Sequence, residues 1–259
     1  MVDRMRYKFV CSVALLALST FVAACRAPKP ITLTVSAAAS LKDAIAENEA
    51  VYKQGHANIE FANNFGSSGI LASQVAEGAP VDVILSAATK PMDELEQKGL
   101  LAAGTRRNLL HNSLVLIAPR DSQLRDFQGL TDRSVRVIAL GDPASVPAGQ
   151  YGRQTLVSLG IWGRLNAKFV LGKDVRQVLT YVETGDADAG MVYATDALNS
   201  ANVRVVAIAP ETSHEPIVYP AAVVKGGHSE DAARRFVENL ASPAAQAIFK
   251  KHGFTIAAP

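Results

Sequence analysis

From Ile31 to the end of the chain, short runs rich in β-branched residues alternate with amphipathic helical runs, and nothing else in the sequence restricts the fold as much. The strand-like runs are "ITLTVSA" (31–37), "NIEFA" (58–62), "VDVILSA" (81–87), "SLVLIAP" (113–119), "VRVIAL" (135–140), "AKFVLG" (167–172), "AGMVYA" (189–194), "VRVVAIA" (203–209) and "IVYPAAVV" (217–224). Apolar spacing predicts helices over 41–54, 69–77, 90–98, 149–159, 174–184 and 229–251. Gly55, Gly78, Gly99, Gly160 and Gly185 are placed as helix stops. Strands that alternate with helices pack as layered α/β architecture. No repeat of 20–50 residues and no low-complexity segment interrupts the pattern.

The first 24 residues read differently. A basic start (Arg4, Arg6, Lys8), an apolar stretch from Phe9 to Leu18 and a small-residue end predict an export signal; the apolar core is too short for a permanent membrane span. "VAAC" (22–25) resembles a bacterial lipobox, in which Cys25 is acylated and becomes the new N-terminus. The alternative is an ordinary cleaved signal that happens to hold a cysteine. With more than one acyl chain, Cys25 would hold the protein at the extracytoplasmic or periplasmic face of the cell membrane. Residues 25–30 form a tether ("RAPKP" over 26–30). Cys11 and Cys25 are the two cysteines, so the folded body would carry no free thiol, disulfide or thiolate metal site. The chain has 26 basic and 24 acidic residues; the leader removes three and one, leaving 23 of each. A neutral body without a basic cluster gives no support for nucleic-acid binding.

Four strand-to-helix junctions share one chemistry: "SAAASLKDA" at Ser40, "NNFGSSGIL" at Ser68, "GDPASVPAGQYG" near Ala148 and "LGKDVRQVL" near Asp174 and Val175. Each leaves backbone N–H groups unpaired at a helix start, where the helix dipole favours an anion. Ser40, Ser68 and Asp174 also suit plain N-capping, which needs no ligand. Ligands in open α/β sheets bind beyond the carboxyl ends of the strands, where such loops gather.

"AAASL", the serine pair followed by "ILASQVAEGAPVDVILSA", "GDPASVPAGQYG", "DVRQVLTYVETGDADAGMVYATDA" and the closing "FKKHGFTI" together resemble the molybdate-binding protein of bacterial ABC importers, in order from about 31 to 257. The resemblance implies a two-lobed periplasmic-binding-protein fold of type II, each lobe a mixed sheet flanked by helices, with ligand in the cleft between them. The first lobe is expected over 31–111, the second over 112–216, and a return to the first over 217–259, closing about the ligand by a hinge motion. It further implies that Ser40 and Ser68 donate through hydroxyl and backbone groups, Ala148 and Val175 through backbone N–H, and Tyr193 through its phenol; Ser67 is a weaker candidate. The cargo is then molybdate or tungstate, handed to an importer permease and its ATPase by a monomer that needs no cofactor and performs no catalysis. One departure is Gly69, where relatives often carry a third hydroxyl residue.

The residue chemistry agrees with a fully deprotonated tetrahedral oxyanion. The five positions offer donors and no carboxylate that could accept a ligand proton. They include no lysine or arginine; Lys42 and Arg176 lie close in sequence and are expected to face solvent. Fixed donors on two lobes would separate molybdate and tungstate from smaller sulfate. Sulfate or another tetrahedral oxyanion stays open as a cargo, and an iron carrier using Tyr151, Tyr181, Tyr193 or Tyr219 is the remoter binding alternative. A serine hydrolase fails on "GSSGI": the residue two after Ser68 is Ile70, not glycine, and His56, His111, His214, His228 and His252 stand in no catalytic motif. Trp162 is expected to pack at a helix end.

Overall fold

The computed structural model describes residues 29–198 and 200–258. The expected export signal, the acylated Cys25 and most of the tether lie outside the described residues. No helix among the described residues is long and apolar enough to cross a membrane.

Two mixed sheets organise the rest. The first contains β1 (Ile31–Ala38), β2 (Ile59–Gly66), β3 (Val83–Leu85), β4 (Arg107–His111), β10 (Val218–Val223) and β11 (Thr255–Ile256), in the order β11-β4-β10-β3-β1-β2. The second contains β5 (Leu114–Pro119), β6 (Ile138–Gly141), β7 (Phe169–Gly172), β8 (Ala189–Tyr193) and β9 (Val203–Ile208), in the order β7-β6-β8-β5-β9. In the first sheet β1 runs parallel to β2 and β3; in the second β6 runs parallel to β7 and β8. The remaining pairings are antiparallel. The chain therefore leaves the first sheet after His111 and returns to it at Val218.

Helices cover these sheets: α1 (Lys42–Gly55), α2 (Ser68–Ala76) and α3 (Thr89–Gln97) follow the first three strands, while α4 (Pro147–Ser158), α5 (Trp162–Leu165), α6 (Val175–Glu183) and α7 (Ala194–Leu198) belong to the second sheet's connections. The inner strands are buried on both faces, as continuous apolar runs require; the neighbouring residues Ser36 and Ala37 on β1, Leu116 and Ile117 on β5, and Ala139 and Leu140 on β6 have no exposure. Trp162 stacks on Phe169 with ring centroids 4.7 Å apart.

The expected helix over 229–251 is two helices, α8 (Glu230–Leu240) and α9 (Pro243–Lys251). Pro243 cannot donate a backbone hydrogen bond and takes the first turn of α9, where none is needed; the Ser242 hydroxyl accepts from Ala245 N–H and caps it. β4 and β11 were not predicted, because "RNLLH" and "TI" are too short and too polar to show a period. Gly78, Gly99, Gly160 and Gly185 do adopt the left-handed backbone of helix stops. Gly55 does not; α1 ends instead at His56, whose backbone leaves the helical region at φ −140° and ψ 61°.

Candidate functional site

Register brings the four junctions together. Ala38 of β1 pairs with Gly66 of β2, so these parallel strands end level and deliver Ser40 and the Ser67–Ser68 pair side by side. In the second sheet Gly141 pairs with Gly172, so α4 and α6 begin side by side as well. A Cβ on Gly149 would lie 1.9 Å from the Gly141 carbonyl oxygen, so only glycine lets α4 press this closely on the strand end.

Ser40, Ser68, Ala148, Val175 and Tyr193 all line one cavity of about 200 Å³, together with Ser67 and six Ala, Gly, Val or Pro positions. No charged side chain lines it. The room within it for the centre of a water-sized sphere is only about 10 Å³, so in this closed form it admits one small species and no organic ligand. A larger surface groove of about 1550 Å³ runs from Pro119 past Asp126 and Gly129 to Asp188; it shares no residue with the junctions, and its width reflects an open loop surface rather than convergent donors.

The serines play different roles from those expected of caps. Ser67, not Ser68, is the N-cap of α2: its hydroxyl accepts from Ile70 N–H at 3.4 Å. Ser68 is the first helical residue, and its hydroxyl oxygen accepts from Ala87 N–H at 2.8 Å. Since an N–H can only donate, that bond leaves the Ser68 proton free for the cavity. Ser40 is not a cap either. It lies in a 3₁₀ turn, Ala39–Leu41, and its hydroxyl is 3.0 Å from that of Tyr219. Asp174 does cap α6, its Oδ1 accepting from Gln177 N–H at 2.9 Å, and it does not line the cavity. Val175 opens α6 and Ala148 is the second residue of α4 after Pro147. The N–H groups of such positions have no acceptor within the helix, and the helix dipole adds positive potential there.

Tyr193 is 1 % exposed, and its hydroxyl has no hydrogen-bond partner in the described residues. Burial first, then the neighbouring Tyr219 and other groups, hold its phenol well above the ordinary tyrosine range, so it stays protonated and able to donate. The same applies to Tyr219, again through burial first and then Asp196. No group of three or more His, Cys, Asp and Glu able to hold a metal ion occurs among the described residues. No histidine lines the cavity either; His56 stacks on Tyr52 and His252 pairs with Glu47 at 2.8 Å.

Lys42 is exposed, but Arg176 does not face solvent as expected. Its guanidinium donates to Asp43 of α1 at 2.7 Å, and its Nε lies 2.8 Å from Asp196 of α7. Arg176 thus bridges the two lobes while two carboxylates offset its charge. Burial pushes the Asp196 carboxyl up to about 7 despite that neighbour. A second inter-lobe contact is backbone to backbone: Gly69 N–H donates to the Ser145 carbonyl at 3.1 Å. A Cβ on Gly69 would lie 2.6 Å from that oxygen, which gives the glycine a physical reason. The contact of Tyr219 with Ser40, the Asn112 amide behind it and the Ala87 N–H escaped the sequence reading, because each partner sits in a strand or connection away from the serine concerned.

The profile of the family described as bacterial extracellular solute-binding protein matches residues 33–255. Among known proteins, "Putative ABC transporter substrate-binding lipoprotein YvgL" of Bacillus subtilis is 44% identical over 229 residues, 88% of this chain and 87% of the relative. The molybdate-binding protein ModA of Haemophilus influenzae is 40% identical, covering 86% and 89%. Among solved structures, the periplasmic molybdate-binding protein of Azotobacter vinelandii superposes with a TM-score of 0.79 at 27% identity, covering 87% of this chain and all of that one.

Proposed function

Because the chain belongs to the bacterial extracellular solute-binding proteins and is a homologue of their molybdate-binding members, we propose that it captures molybdate, or tungstate, and passes it to an ABC importer. The observation that carries this reading is a small cavity between the lobes whose polar contributions are neutral serines, a tyrosine and helix-start N–H groups. Such donors suit a doubly charged oxyanion that bears no proton. A protonated anion wants an acceptor, and no carboxylate lines the cavity. If each charge-assisted bond contributes about 1.5–3 kcal/mol, six of them gross roughly 9–18 kcal/mol before desolvation and closure, enough for capture from micromolar to tighter than nanomolar.

In this reading Ser40 and Ser68 act from the first lobe and Ala148, Val175 and Tyr193 from the second. The lobes comprise residues 31–111 with 217–259, and 112–216, and they close on the anion by a hinge motion. A smaller anion such as sulfate leaves some buried donors unpaired, at about 1–3 kcal/mol each. Cys25 carries the lipid that keeps the protein at the outer face of the membrane, and the loaded monomer docks on the permease, whose ATPase drives uptake.

The test is elemental analysis of the purified mature protein after exposure to equimolar molybdate, tungstate, sulfate and phosphate followed by gel filtration. Molybdenum or tungsten at one atom per chain, with sulfate and phosphate at background, is the expected result. Stoichiometric sulfate or phosphate in their place would refute the reading.

A further inference from the structure

We propose that Tyr219, itself oriented by Asn112, is a positioning residue that keeps the Ser40 proton available to the bound anion. The inference rests on the reading of the cavity as an oxyanion site. Tyr219 does not line that cavity; it stands behind Ser40 on β10, 1 % exposed.

Two hydroxyls 3.0 Å apart share one proton between them. Either Ser40 donates to Tyr219 and only its lone pairs face the anion, or Tyr219 donates to Ser40 and the Ser40 proton stays free. Asn112 decides which. Its carbonyl oxygen accepts from Ser113 N–H at 2.9 Å, which fixes the orientation of the amide. The amide nitrogen must then face the other way, where it donates to Thr195 at 2.9 Å and to Tyr219 at 3.2 Å. The Tyr219 oxygen is therefore an acceptor towards Asn112; Ser40 is the one other hydrogen-bond partner of this hydroxyl among the described residues, and a buried O–H needs an acceptor, so its own proton goes to Ser40. Donation runs in one direction, from Asn112 through Tyr219 and Ser40 into the cavity, and each accepted bond strengthens the next one donated. Ala87 N–H serves Ser68 in the same way, with a backbone group in place of a side-chain pair. Asn112 lies on the connection between β4 and β5, so the direction of the Ser40 hydroxyl is set where the chain passes from one lobe to the other.

The test uses second-site rescue on the mature protein, with molybdate affinity read by calorimetry and folding by thermal melting. Asn112→Asp keeps the acceptor for Ser113 N–H but presents an acceptor to Tyr219. Tyr219 then donates to the carboxylate, Ser40 donates to Tyr219, and the direction is inverted; affinity should fall about 10- to 100-fold. Tyr219→Phe alone should cost only about 2- to 10-fold, because Ser40 loses a supporting donor but nothing draws its proton inward. Adding Tyr219→Phe to Asn112→Asp should recover at least about fivefold of the lost affinity, since single and double variant carry the same added charge. A double variant as weak as Asn112→Asp, or weaker, would overturn the positioning role, as expected if these residues served packing alone. A wild-type protein that binds no molybdate would overturn the site reading itself, and this inference with it.

Discussion

A methyl group at Gly69 tests whether the cleft must close to hold its ligand. The added carbon would sit 2.6 Å from the Ser145 carbonyl oxygen and 3.0 Å from its Cα, both backbone atoms of the opposite lobe. The Gly69 N–H that donates to this carbonyl at 3.1 Å would be pushed away by the same movement. Because neither partner is a flexible side chain, relief has to come from separating α2 from the loop before α4. Losing the hydrogen bond costs about 0.5–1.5 kcal/mol and the overpacking about 1–3 kcal/mol, both only in the closed form. Gly69→Ala should therefore bind molybdate about 10- to 1,000-fold more weakly. With the lobes apart the sign reverses: alanine in a helix is better than glycine by roughly 0.5–1 kcal/mol, so the ligand-free protein should melt no lower than the wild type. Calorimetric titration and thermal melting on the same preparation separate the two effects. Affinity within twofold of wild type would refute the argument. Such a result would mean that the loop carrying Ser145 yields freely, as it must in any relative with a larger residue at this position.

Ser68→Ala should weaken molybdate binding and also cost about 1–3 kcal/mol in denaturant unfolding, because it leaves the buried Ala87 N–H unpaired; Tyr193→Phe should weaken binding without destabilising the ligand-free fold, since the hydroxyl it removes has no protein partner. Arg176→Ala should cost about 3–5 kcal/mol at pH 8, where it strands the fully buried Asp196 carboxylate, and less at pH 5, where that group is protonated. Asp43→Ala should cost under about 1 kcal/mol in the same unfolding assay, because its carboxylate is half exposed. Burial raises Glu49 to about 6 against Asn63, which donates to it, and one of its oxygens has no partner. Its contribution to stability is thus full below about pH 4.5 and lost as pH rises through 6. Wild type should lose up to about 2 kcal/mol over that window and Glu49→Gln should not, as urea titrations at pH 4.5 and 7 would show.

Much of this was legible in the sequence. The two periods placed nine of the strands and most helices, since β-branched alternation and amphipathic spacing are local properties of the chain. Ser40, Ser68, Ala148 and Val175 stood out at their junctions and Tyr193 came from the resemblance alone; the structure brings all five to one cavity. Roles that depend on distant partners could not be read. Which member of the Ser67–Ser68 pair caps α2 depends on where the helix begins, and the register of β2 against β1 decides that. The Ser68 acceptor role requires Ala87, nineteen residues away, and the Ser40 contact requires Tyr219, 179 residues away. Arg176 looked like a solvent-facing helix residue because its partners Asp43 and Asp196 come from other elements. The break at Ser242–Pro243 was visible as a proline signal, but the apolar spacing on either side of it masked the stop.

These long-range contacts share one physical consequence. A guanidinium touching the ligand would bind many anions strongly and with little regard to shape. Here the arginine beside Val175 is turned to Asp43 and Asp196, and the lining side chains are uncharged. If the cavity is the oxyanion site proposed above, attraction comes from dipoles, whose field falls off faster with distance than that of a charge and whose hydrogen bonds weaken steeply when misaligned. Discrimination by size follows from the same restriction, because a donor fixed to one lobe cannot follow a smaller anion held by the other. In the same reading release follows as well: once the lobes separate, the two positions of the first lobe leave the three of the second, and no ion pair holds the anion back.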